Sequence, residues 1–207
     1  MDTEQVLGHG HDQGESMHNL SLAKLRAPMS ADKDASLVKA ARRNPAAFAT
    51  LYRRYVTAIY RYVYSRLGNV ADSEDMTAQV FTEALEGLHR YREQGNFAAW
   101  LFTIARHKMS DYYRRQRPNL PLNEALDGTA DGTDPLAHMV QAETLRRLAA
   151  LVAQLGEEQQ ELLRLRFAGG LTYGEIGRIV GRSEAAIKMA VHRLLRRLEA
   201  EWEESDE

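Results

Sequence analysis

The feature that most constrains this chain is the spacing of its apolar residues, which return every three or four positions and nowhere alternate with polar residues over a useful length. That period gathers apolar side chains into one stripe along an α-helix, so the chain is expected to be all-α. Phe48, Leu51, Tyr52, Tyr55, Ile59, Tyr62, Val63 and Leu67 form the first long stripe, opening after Asn44-Pro45 and ending at Gly68-Asn69. A shorter helix, Ser36–Arg43, precedes it. A further helix starting at Asp72 or Ser73 lays Met76, Val80, Phe81, Leu85 and Leu88 along one face. The next runs from Phe97 to about Arg115, with Trp100, Leu101, Ile104 and Met109 inward, and Pro118 stops it.

Residues 35–117 therefore read as one compact helical module. From Asn119 to Pro135 the character changes: Pro121, Gly128, Gly132 and Pro135 mix with Glu124, Asp127, Asp131 and Asp134, without a basic residue. We assign 118–137 as an acidic flexible linker. Helices then resume at His138–Leu155, Glu157–Phe167, Tyr173–Val180 and Ser183–Glu204, so that 138–198 form a second module and 199–207 an acidic tail. Residues 1–34 lack either period and read as a mobile tail. Its His9, His11 and His18 have neither the spacing nor the carboxylate support of a metal site, and no metal or other cofactor is expected.

The chain contains no cysteine, which excludes disulfides, thiolate metal sites and a cysteine nucleophile. No apolar run approaches the about 18 residues of a membrane span, and the N-terminus lacks the pattern of a signal peptide, so a cytoplasmic protein without membrane insertion is expected. The net charge of −2 hides a segregation. Residues 1–35 carry six acids and three bases and residues 199–207 six acids and no base, which leaves the body between them at +7. A basic body with acidic ends suits a polyanionic partner.

Two segments carry chemistry. From Leu171 to Arg193 the order is capping box, apolar helix, turn glycine and second helix: Thr172 and Glu175 can cap reciprocally, Gly181 permits a tight turn, and Ser183 can cap the second helix. Ile176, Val180, Ile187 and Val191 point inward, leaving Glu184, Ala185, Lys188, Met189, His192 and Arg193 outward, as a recognition helix would present them to a major groove. Arg178, Arg182, Arg196 and Arg197 can grip phosphates; the plainer alternative is a helical hairpin with a solvated basic face. The other segment runs from Trp100 to Arg117 and interleaves five bases with aromatic rings, with only Asp111 opposed. Rings that stack on bases and cations that track phosphates suit single-stranded nucleic acid, although a basic solvated helix face explains the segment equally well. The acids Asp72, Glu74 and Asp75 open a helix, where they complement its dipole. No phosphate loop, metal-spaced pair or nucleophile with a nearby base exists, and the chain is not expected to be an enzyme.

The order of these parts resembles a bacterial sigma factor of the extracytoplasmic-function type, a sigma-70 family member with regions 2 and 4 only. Three stretches carry the resemblance, which covers Ser36 to Leu198: Asp72 through Phe81, Asn96 through Arg106, and Thr172 through Arg193. It implies a factor that binds core RNA polymerase, on the beta-prime coiled coil and the beta flap, and directs initiation at promoter DNA. By that resemblance Asp72, Glu74, Asp75, Gln79 and Phe81 would contact polymerase. Arg106, His107, Lys108, Asp111, Arg114 and Arg115 would read and melt the minus-ten element. Arg182, Ser183, Glu184, Lys188, Met189, His192, Arg193 and Arg196 would read the minus-thirty-five element. An anti-sigma factor is a further implied partner. Ala78, His107 and Ala190 depart from the residues usual in the family at those places. The alternative is a stand-alone helix-turn-helix regulator, binding duplex DNA without polymerase.

Overall fold

The computed structural model describes residues 34–92, 96–116 and 135–204, the side chains of 116 and 135–142 excepted. The tail histidines, the acidic stretch 118–134 and residues 205–207 lie outside the described residues. Every regular element among the described residues is helical.

The first module is built from α1 (Ala35–Ala41), α2 (Pro45–Leu67), α3 (Val70–Gly87) and α4 (Phe97–Gln116). Asn44 caps α2 by accepting the Ala46 amide at 2.9 Å, Pro45 occupies the first turn, and Gly68 ends the helix in a left-handed conformation at φ 76°. Helix α3 begins earlier than its acids suggest. Asn69 is its cap, accepting the Asp72 amide at 2.8 Å, and Val70 opens the helix.

The core of this module runs through Leu51, Ile59, Tyr62, Val63, Val80, Ala84, Leu101, Phe102 and Met109, all fully buried. Edge-on ring pairs join the helices, Tyr55 with Phe97 and Tyr62 with Phe102, each with centroids 5.4 Å apart. Two expected core residues lie outside. Leu85 is 52% exposed and Tyr52 41% exposed. Along α3 Met76, Val80, Phe81 and Ala84 are buried, as is Leu88 just past its end, so the small Ala84 takes the place next to the core and Leu85, about 100° further round the helix, faces solvent.

The second module consists of α5 (Pro135–Ala153), α6 (Glu157–Leu163), a π-helical turn (Arg164–Ala168), α7 (Tyr173–Val180) and α8 (Glu184–Glu204). The capping box forms as expected. The Glu175 amide donates to Thr172 Oγ1 at 3.2 Å, and Glu175 Oε2 accepts the Thr172 amide at 2.7 Å. Gly181 makes the turn at φ 72°. At Gly177 a Cβ would stand 2.5 Å from the Arg182 carbonyl, so a glycine there lets the two helices of the motif close. Arg147 of α5 lies over the Trp202 ring at 4.2 Å and bonds its carbonyl, which pins α5 along the end of α8.

The two modules touch. Helix α4 packs on α7, and α2 packs on the π-helical turn. At the centre of this seam Gly169 meets the face of α4 so closely that a Cβ would lie 2.7 Å from a Phe102 ring carbon.

Candidate nucleic-acid interface

Helix α8 is amphipathic in the way its sequence dictates. Ile187, Val191, Leu194 and Leu198 are buried against the rest of the module. On the opposite side Lys188, Met189, His192, Arg193 and Arg196 stand exposed, at three-and-four spacing, and Met189 is 62% exposed. Ser183 accepts the Ala186 amide at 3.2 Å and so caps α8, and Glu184 and Arg182 are exposed beside it. Arg182 is held by Glu158 at 2.9 Å. These residues form an exposed stripe along α8, and Arg178 of α7 is exposed as well.

Tyr173 was not singled out from the sequence. Its ring lies 6.2 Å from the His192 ring and 4.6 Å from the Arg166 guanidinium. Arg166 also donates to the Leu171 carbonyl at 2.7 Å, which fixes the loop leading into α7. A ring and a cation seven residues apart on different elements leave no periodic signal that could have revealed them.

The residues expected on α4 do not share one face. His107, Asp111 and Arg114 follow one another along one side, with Arg114 bridged to Asp111 at 2.9 Å, and Lys108 and Arg115 lie next to them. Lys108 is held by Glu83 of α3 at 2.9 Å. Arg106 points elsewhere. It turns toward the second module, where its Nε lies 3.8 Å from Glu161. The tyrosines of this helix are anchors: Tyr112 donates to Asp72 at 2.8 Å and Tyr113 to the Arg66 carbonyl at 2.6 Å. Burial pushes the Tyr113 phenol above its ordinary range, so it stays a donor.

On α3, Glu74, Asp75 and Gln79 are exposed, as a docking surface requires. Asp72 is engaged internally. Its carboxylate accepts from Asn69 at 2.8 Å and from Tyr112, and those hydrogen bonds hold it below the usual aspartate range. Phe81 corrects an expectation. At 5% exposure it belongs to the core and meets the Tyr52 ring edge-on at 4.7 Å, so it offers little surface of its own. The exposed apolar residues of this region are Tyr52 and Leu85 instead.

No group of His, Asp or Glu among the described residues could hold a metal ion, and no helix among them is long and apolar enough to cross a membrane.

With this geometry established, comparison with known proteins gives consistent matches. Residues 51–118 match the family model for sigma-70 region 2, and residues 145–198 match that for sigma-70 region 4. The chain is 36% identical over 155 residues to the extracytoplasmic-function RNA polymerase sigma factor BldN of Streptomyces coelicolor, a match spanning 73% of this chain and 59% of that protein. It is 32% identical to the RNA polymerase sigma factor YlaC of Bacillus subtilis over 69% of this chain and 84% of the relative. Among solved structures, CnrH in complex with the cytosolic domain of CnrY superposes with a TM-score of 0.60 at 23% identity, covering 84% of this chain and 99% of CnrH, a likeness of fold.

Proposed function

The chain belongs to the extracytoplasmic-function branch of the sigma-70 family of RNA polymerase sigma factors, and from that premise we propose that it docks on core polymerase through α3 and reads a promoter with α4 and α8. The single observation that carries the reading is α8. One side of it is buried and the opposite side is a basic stripe that starts at a capped, tightly turned helix-turn-helix, the geometry that enters a major groove. Lys188, Met189, His192 and Arg193 would meet base edges of the minus-thirty-five element, with Arg178, Arg182 and Arg196 on phosphates.

The first module would take the minus-ten element. His107, Lys108, Asp111, Arg114 and Arg115 form its outward surface on α4, and Arg106 would join them once released from Glu161. Glu74, Asp75 and Gln79 would dock on the beta-prime coiled coil, and the second module on the beta flap. Neither module is large: a single small reader buries about 600–1,000 Å² on DNA, too little for tight binding at physiological salt. Tethering both to one polymerase raises their effective concentration at a promoter. The chain would act by binding, without turnover of its own. The sigma factor RpoE of Bartonella quintana forms a complex with the anti-sigma factor NepR, and an anti-sigma partner would fit this chain.

Gel-filtration co-elution with sigma-free core RNA polymerase tests the reading. The intact chain co-elutes, and Glu74→Lys/Asp75→Lys does not. Asp72 is left unchanged because it also anchors Tyr112. Failure of the folded intact chain to co-elute, together with tight binding to a duplex alone, would replace this reading with a stand-alone regulator.

A further inference from the structure

The outward side of α8 is not uniformly basic. Ile187 marks its buried direction, and Met189, two residues on, stands about 200° round the helix, almost directly away from the module. One turn before it on the same side is Ala185, also exposed. Met189 is 62% exposed and is the most exposed large apolar side chain among the described residues. The cations flank this pair without covering it: Lys188 and His192 lie to one side, Arg193 to the other, and Arg196 is about two turns further along. The acid that opens the helix is folded back. A Cβ on Gly174 would meet Glu184 Oε2 at 3.1 Å, so the Glu184 carboxylate lies over the first turn of α7, whose dipole it complements. His192 leans the same way, its ring 6.2 Å from that of Tyr173. The leading surface of the first two turns of α8 is therefore an alanine and a methionine.

That surface is a poor match for most base edges. A methionine has no donor, and its thioether sulfur is only a weak acceptor. A hydrogen-bonding group of a base that it covered would lose its water and gain nothing in return. One group in the major groove rewards an apolar neighbour, the C5 methyl of thymine. The second turn of a recognition helix is also where base edges are met, and the unbranched methionine side chain can adjust to a methyl on either strand.

We propose that Met189, backed by Ala185, reads a thymine methyl, so that the promoter element taken by α8 carries an A·T pair at the step Met189 meets and is selected there by methyl burial instead of hydrogen bonding. The inference rests on the promoter-reading function and adds to it the base read at the middle of the contact and the means of reading it. Lys188, His192 and Arg193 supply hydrogen-bonding groups to the neighbouring pairs, and Arg182 and Arg196 hold phosphates to either side. Discrimination at the Met189 step is then insensitive to salt, because burying a methyl releases no counterion, while the overall affinity still falls as salt rises.

Deleting methyls from the DNA tests the contact. The full chain with core polymerase selects duplexes from a library randomised over the minus-thirty-five region. Each thymine of the enriched element, on either strand, is then replaced by deoxyuridine, which removes the C5 methyl and leaves every hydrogen-bonding group in place. One replacement is expected to weaken binding of the wild-type holoenzyme about fourfold, the worth of one buried methyl-sized group, at low and high salt alike. The Met189→Ala holoenzyme should lose most of that difference, and Met189→Leu, apolar and of similar volume, should keep it. Met189 is exposed, so these substitutions leave the core intact, as circular dichroism will show. An enriched element with no thymine on either strand, or one in which no deoxyuridine replacement separates the wild type from Met189→Ala, overturns the proposal. A holoenzyme that forms but enriches no sequence would instead overturn the promoter-reading function, and the methyl contact with it.

Discussion

Helix α8 and helix α4 both present basic residues, but they do so in opposite ways. On α8 the stripe from Lys188 to Arg196 stands off the module with its apolar side buried, and its composition alone decides what it offers. On α4 Lys108 is bridged to Glu83, Arg114 to Asp111 and Arg106 to the second module. Helix α4 is also anchored through Tyr112 and Tyr113 to the two ends of the α2–α3 turn. A reader of duplex DNA needs a rigid exposed helix. Under the proposed function α4 acts on separated strands, and the network that embeds it would have to be partly released first.

That contrast can be broken most severely in the cores. Phe102→Ala removes the ring that serves both the first module and the seam, and is expected to cost about 3–5 kcal/mol, whereas Ile187→Ala costs about 2–5 kcal/mol within the second module. Urea unfolding followed by circular dichroism checks both. If the modules unfold as one cooperative unit in the wild type, Phe102→Ala should split the transition in two, and a single shifted transition would mean that the seam contributes little to cooperativity.

Next in size is Gly177→Ala. Its Cβ would lie 2.5 Å from the Arg182 carbonyl, so the elbow between α7 and α8 must shift, at about 1–3 kcal/mol. Duplex affinity should fall further than stability does, because the shift re-aims the whole α8 stripe. Fluorescence anisotropy with a labelled duplex, compared with the urea midpoint, separates the two effects.

Single cations sharpen the comparison between the helices. Arg196→Ala should reduce the slope of log affinity against log salt by about 0.9 on duplex DNA, the value for one phosphate contact. Lys108→Ala, whose charge is already matched by Glu83, should change it less. Equal changes from the two substitutions would remove the distinction between an unencumbered and an engaged helix.

The smallest effect is a pH dependence at Asp72. Hydrogen bonds from Asn69 and Tyr112 lower its pKa in the folded state, so the unfolded chain binds more protons between that value and the ordinary aspartate pKa of about 3.9. The stabilisation is fully present above the ordinary value and is lost as pH falls through the lowered one. Asp72→Asn should therefore lower the urea midpoint slightly at neutral pH and flatten its fall between about pH 4 and the acid limit. An unchanged acid limb would mean that Tyr112 does not depend on the carboxylate.

Local chemistry alone determined a great deal of this molecule. The all-α class, the Asn44-Pro45 start, the Thr172–Glu175 capping box, the Gly181 turn and the outward stripe of α8 all arise from spacings of four residues or fewer, because helix caps and helix faces are settled within a turn or two of chain. The resemblance to sigma factors was legible for a related reason: its three stretches are contiguous. Tertiary structure alone decided which side of a stripe is covered and by what. Leu85 and Tyr52 face solvent and Phe81 does not, because burial depends on which neighbouring helix lies against α3, and a period specifies a face without specifying its partner. The seam is the extreme case. Asn96 and Glu175 are 79 residues apart and Tyr62 and Glu161 are 99 apart, so each residue looks like an ordinary cap, core or surface position in its own segment, and only the approach of the two modules joins them.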